Sequence, residues 1–199
     1  MNTKKLDELN ILRKVYQEIE YKIVKKNENP DFILSDKDGN QFGVEIIKYF
    51  DSPTSGRFKN IPNYTRKLIN SEFIHKQDIG ILKTGEIVIV DKKGKEISTP
   101  DKAVLRELPQ SIDRINTLKK IVKEKNSKCE QKYDKSSPID LLIYDSGDLI
   151  AGSDIQKKQI LAYLRKQEEV NTLESPFRKI ILLIEEPSNS SIKILLKSI

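Results

Sequence analysis

The chain carries one cysteine, one histidine and no tryptophan in 199 residues. A lone Cys129 excludes an internal disulfide and a cysteine-based zinc site, and reads as an incidental thiol on a polar helix. The lone histidine, His75, closes a helical pattern in EFIHKQD. A general base is conceivable there, and a structural or exposed side chain is the plainer reading. No apolar run approaches the ~20 residues of a membrane span. The first twenty residues, MNTKKLDELNILRKVYQEIE, are charged throughout and lack the apolar core of a signal peptide, so a cytoplasmic location is expected. The Walker loop, GxGxxG, HExxH and GxSxG patterns are all missing. Their absence weighs against P-loop hydrolysis, dinucleotide chemistry, zinc proteolysis and a serine esterase.

What is present suits a single domain over residues 1–199: 37% hydrophobic residues, mostly Ile, Leu and Val, against 33% charged. Thirty-six Lys and Arg oppose thirty Asp and Glu, a net charge of +6. That balance is compatible with a polyanionic partner, because phosphate neutralisation rewards it.

Apolar residues recur at helical spacing over 4–26, through Leu6, Leu9, Leu12, Tyr16, Ile19 and Ile23, until Pro30 forbids continuation. Strands are predicted at about 31–35 and 41–49 around an Asp-Gly turn. Residues 51–63, rich in Pro, Gly and Ser, read as a loop, followed by a helix over 63–77. A second hairpin is predicted over 79–97. A long helix is predicted from near Pro100, capped by Ser98 or Thr99 and dissolving into a Lys-rich stretch; hairpin and helix together form an insertion over 79–135. DLLIYD (140–145) and KIILLIE (179–185) read as strands buried on both faces, separated by a helix over 153–168 capped by Ser153 or Asp154. SIKILLKSI (191–199) alternates like an edge strand. Strands interleaved with helices predict an α/β fold, a mixed central sheet flanked by helices.

Each strand of the first hairpin carries one acid, Asp31 and Glu45, inside an apolar pattern, which is costly unless a charge meets them. A three-residue loop Lys37-Asp38-Gly39, with Gly at the left-handed position, sets Asp31 directly across from Glu45. Their Cβ atoms would then lie ~4.5–5.5 Å apart, close enough to grip one cation. A two-residue Asp38-Gly39 turn sends the acids to opposite faces instead. Both turns suit the sequence. Two carboxylates with room for water describe a Mg2+ or Mn2+ site rather than a zinc site. The DKDGN turn is no EF-hand, since its Gly is fourth from Asp36 rather than sixth.

Pro30-Asp31-Phe32 followed by Gly43-Val44-Glu45-Ile46 resembles the PD-(D/E)XK nuclease superfamily, the restriction-endonuclease-like fold. DLLIYD and FRKIILLIE, separated by a helix, resemble the rest of its core. The resemblance implies a metal-dependent phosphodiester hydrolase acting on nucleic acid, DNA favoured, with Asp31 and Glu45 on the divalent metal and an assisting acid from the first helix. A homodimer is compatible with it. Glu20 borders the helix's apolar stripe and is the better candidate for that acid, whereas Glu18 points away.

The lysine of the family sits two residues after the strand Glu, and that position is Ile47. Lys48 points to the opposite face unless a bulge at 46–48 turns it back. Lys59, Arg66 and Lys67, in the next loop and helix, are candidates for the missing charge, and together with Arg57 they are candidates for gripping a nucleic-acid backbone. The Lys-rich run 119–135 reads as a solvated helix face or as a phosphate-contacting one. Tyr144 and Asp145 end the DLLIYD strand and either line a cleft or simply precede a turn. The missing lysine also leaves open a catalytically inactive domain that binds nucleic acid or protein, and an assembly protein whose two acids are merely solvated.

Overall fold

The computed structural model describes residues 3–97, 101–106, 109–133, 137–147, 154–170, 175–186 and 191–198. Ser98, Thr99, Pro100 and Ser153, named above at helix starts, and residues 134–135 at the end of the Lys-rich run lie outside them. The chain divides into two compact units, 1–51 with 110–199, and 52–109.

The larger unit opens with helix α1 (Thr3–Val15) and strand β1 (Lys22–Lys26). The predicted helix over 4–26 therefore stops early. Tyr16 packs edge-on to Tyr21 at 5.2 Å between ring centroids, both rings meet Phe42 at 5.8 Å, and the Tyr16 hydroxyl donates to buried Asp140 at 2.7 Å. Holding both tyrosines requires a turn, in which the Glu20 and Tyr21 amides each donate to the Gln17 carbonyl at 3.0 Å. Ile19, which helical spacing assigns to the core, is 79% exposed. Ile23 and Val24 go to a lysine-rich edge strand, a composition that discourages further strand pairing.

Strands β2 (Phe32–Ser35) and β3 (Gln41–Lys48) form the predicted hairpin. The sheet continues through β6 (Ile139–Asp145), β7 (Lys179–Glu185) and β8 (Ser191–Ser198), in the order β1-β2-β3-β6-β7-β8. The two pairings among β3, β6 and β7 are parallel and the outer three antiparallel, so the sheet is mixed. As expected, β6 and β7 are buried on both faces and β8 forms an edge.

Period-two alternation sorts β3 between two layers. Phe42, Val44 and Ile46 pack with Phe32 and Leu34 beneath Leu9, Leu12 and Val15 of α1. Ile47 and Tyr49 face the other cluster, where Leu118, Val122 and Cys129 meet Ile160 and Leu164 over Leu141 and Ile143. Those covering residues come from α4 (Ser111–Lys132) and α5 (Asp154–Val170). The long helix thus starts at Ser111, not near Pro100, and runs through the Lys-rich stretch predicted to dissolve. Cys129 is one of its core residues rather than a side chain on a polar face.

The smaller unit contains α2 (Pro53–Asn60), α3 (Tyr64–Ile69), β4 (Lys83–Ile87) and β5 (Asp101–Leu105). What composition assigns to a loop over 51–63 is mostly helix, since Ser52 caps it through Ser55 N at 3.1 Å and Pro53 opens it. The helix predicted over 63–77 is short and ends by Ile69. The second hairpin pairs β4 with β5, the segment assigned to a helix start; within 79–97 only Val90 and Glu96 bridge, around Gly94. Tyr64, Leu68 and Leu82 form this unit's core. Beside it, fully buried Asp78 accepts from Thr54 (2.9 Å), Tyr64 (2.6 Å) and Arg57 Nε (2.7 Å).

Candidate functional site

The hairpin loop decides the register. Gly39 takes φ +85°, the Asp36 amide donates to Asn40 O at 3.1 Å, and Ser35 stands opposite Gln41. This is the three-residue loop. The ladder ends at Phe32 opposite Val44; Asp31 and Glu45 are the next residues beyond that pair, Asp31 lying in a bend before β2, and they are near enough for the Glu45 charge to act on the Asp31 carboxyl. Pro30 is locked beside Gly43: a Cβ there would lie 2.4 Å from the proline Cγ. The proline-aspartate and glycine-valine-glutamate segments are therefore one interlocked piece of backbone.

Both acids are buried, and lysines meet them. Asp31 Oδ2 accepts the Ile46 amide at 2.9 Å, and its Oδ1 accepts Lys5 Nζ from α1 at 3.2 Å. Lys5 also meets Glu8, a buried acid one turn further along α1, at 3.0 Å. Glu45 Oε1 accepts two ammonium groups from α4, Lys125 at 2.7 Å and Lys128 at 2.9 Å. The Tyr133 hydroxyl lies against the same carboxylate. Neither Glu45 Oε2 nor the Tyr133 hydroxyl completes a well-formed hydrogen bond among the described residues.

Electrostatics separate the two acids. Burial raises the Asp31 pKa, and the charges of Glu45 and Glu8 add to the rise against the Ile46 and Lys5 hydrogen bonds. Burial also works to raise Glu45, but the bonds from Lys125 and Lys128 outweigh it and hold its carboxyl below the ordinary value. The Tyr133 hydroxyl is pushed well up by burial and by Glu45. The site therefore favours an ionised Glu45 whose second oxygen is buried beside the Tyr133 hydroxyl without a well-formed hydrogen bond.

The remaining candidates fall elsewhere. Glu20 is exposed in the turn after α1, not on a helix; the first-helix acid at the site is Glu8. Lys48 stays on the opposite face, because β3 pairs with β6 without a bulge through 46–48, and its ammonium meets Asp7 at 3.2 Å. Arg57, Lys59, Arg66 and Lys67 belong to the smaller unit, on α2 and α3, and Arg57 is taken up by Asp78. Tyr144 donates to Glu185. His75 sits half-buried in a turn beyond α3.

Sequence reading does not single out Lys5, Glu8 or Tyr133, and it treats Lys125 and Lys128 only as part of the Lys-rich run, solvated or phosphate-contacting, rather than as partners of Glu45. A signal existed: Lys125 continues the buried stripe Leu118, Val122, Cys129, and Glu8 continues the stripe Leu9, Leu12, Val15. A charge at a core position of a helix calls for an opposite charge beneath it.

An all-oxygen donor set of Asp31, Glu45 Oε2 and Tyr133 fits a hard divalent cation, which takes one or two carboxylates and completes its shell with water. Among the described residues no group of three or more His, Cys, Asp or Glu side chains gathers as a metal cage. No helix among them is long and apolar enough to cross a membrane. No protein-family pattern, curated protein or solved structure matches this chain.

Proposed function

We propose that the chain is a restriction-endonuclease-like, Mg2+- or Mn2+-dependent phosphodiesterase acting on nucleic acid, DNA favoured. The observation that carries this is the buried pair of acids just beyond the hairpin ladder, Asp31 and Glu45, with Glu45 Oε2 lacking a well-formed hydrogen bond among the described residues. The element order supports it: α1, the antiparallel β1-β2-β3, α4, then β6 parallel to β3.

Asp31 and Glu45 would hold the cation, which lowers the pKa of a bound water and offsets charge on the scissile phosphate. Glu8 replaces Glu20 as the acid from the first helix. Lys125 keeps Glu45 ionised and oriented. Lys5 does the same for Asp31, whose burial otherwise favours the protonated form.

Incubation with plasmid, single-stranded DNA and RNA in Mg2+ or Mn2+ tests the reading. Cleavage should appear with the parent chain and fall at least about a hundredfold in folded Asp31→Ala and Glu45→Ala. No cleavage of any substrate, or undiminished cleavage by both variants, contradicts it.

Ile47 favours a second reading. With no lysine beside Glu45 on β3 and lysines from α4 balancing the acid, the same domain would bind nucleic acid without cutting it. Binding would then weaken steeply with salt and survive loss of both acids.

A further inference from the structure

Lys125 and Lys128, three residues apart on α4, converge on one oxygen of one carboxylate. Glu45 brings a single negative charge, and Asp31 is already met by Lys5. At Glu45 itself the ammonium groups are therefore in local excess by one, although Glu8, which shares Lys5 with Asp31, brings the wider site to three acids against three lysines. A divalent cation on the open side of the carboxylate would sharpen that excess, because like charges a few ångströms apart repel strongly where water is scarce.

The two lysines differ in their freedom to respond. The Lys125 side chain is 16% exposed and follows the buried stripe of α4. Lys128 is 31% exposed, and its ammonium stands 5.2 Å from the Tyr133 ring centroid. A long stem over an aromatic face lets a cation move outward while keeping favourable contact.

We infer that Lys128 is an exchangeable counter-ion. It neutralises Glu45 while the carboxylates are bare, and it turns outward to a backbone phosphate of the nucleic acid once they hold their cation. Lys125 stays on Glu45 throughout. The helix would thus supply the positive charge that Ile47 cannot supply from the strand. This inference rests on the metal-dependent reading above and assigns the phosphate contact of that site.

The test is Lys128→Met, which keeps the stem and removes the charge, measured in the full chain by Mn2+ titration and by cleavage at saturating Mn2+. Mn2+ should bind about three- to tenfold more tightly, because a competing ammonium is gone, while cleavage falls at least about tenfold. Lys128→Arg should keep most of the cleavage. The opposite signs matter, since a lysine needed only for packing would weaken both properties together. Unchanged or weaker Mn2+ binding in Lys128→Met, or undiminished cleavage, overturns the role of Lys128 and leaves the nuclease reading intact. A parent chain that binds no Mn2+ or cleaves nothing removes the nuclease reading and the role of Lys128 with it.

Discussion

Glu45 is the residue whose surroundings are hardest to account for by stability alone. Buried Asp140 is satisfied by the Tyr16 hydroxyl and by two Arg178 nitrogens at 2.7–2.8 Å, an arrangement that serves folding. Glu45 instead has two ammonium groups on one oxygen and, beside the Tyr133 hydroxyl, a buried second oxygen without a well-formed hydrogen bond among the described residues. Removing its charge leaves Lys125 and Lys128 facing each other in a poorly hydrated place. Glu45→Gln should therefore cost about 3 kcal/mol in urea unfolding, and adding Lys125→Met should recover part of that loss. A single variant as stable as the parent would mean that the lysines are solvated and the acid is not holding them.

Among the elements, the hairpin matters most, because its geometry was written in short-range chemistry. Gly39 at φ +85° fixes the loop, the loop fixes the register, and the register brings the acids together. Gly43 is the second constraint. A methyl group added there meets the rigid Pro30 ring at 2.4 Å and Ile139 at 3.3 Å, so Gly43→Ala should lose about 1–3 kcal/mol and also weaken Mn2+ binding by displacing Asp31. Loss of stability without any change in binding would separate the backbone lock from the site. The strands β2, β3, β6, β7 and β8 were legible for the same local reason, alternation or a continuous apolar run between turn residues. What could not be read depended on distant partners. The helix over 4–26 breaks because Tyr16 and Tyr21 close around Phe42, and β5 exists because β4 pairs with it. The lysines of α4 looked solvated because the acid beneath them lies 80 residues away in sequence.

At the scale of the whole molecule, two units rest on different polar centres. The smaller depends on Asp78, whose carboxyl is held down to about 2 chiefly by Arg57, against burial and with help from Tyr64 and Thr54. A carboxyl lowered on folding stabilises fully above its unfolded value near 4, and that contribution disappears as the pH falls from about 4 to about 2. The urea midpoint of this unit, followed at the Tyr64 ring by NMR, should drop across that window. Asp78→Asn should lower it at neutral pH and flatten the dependence; an unchanged slope would mean that another group carries it. The larger unit carries the proposed chemistry. Its central claim is that Asp31 and Glu45 share one divalent cation, and Mn2+ titration of the parent, Asp31→Ala and Glu45→Ala chains, followed by electron paramagnetic resonance, tests it most directly. The parent should bind a single Mn2+ and both folded variants should lose it; a parent that binds none, or variants that bind it equally well, would rule out the shared site.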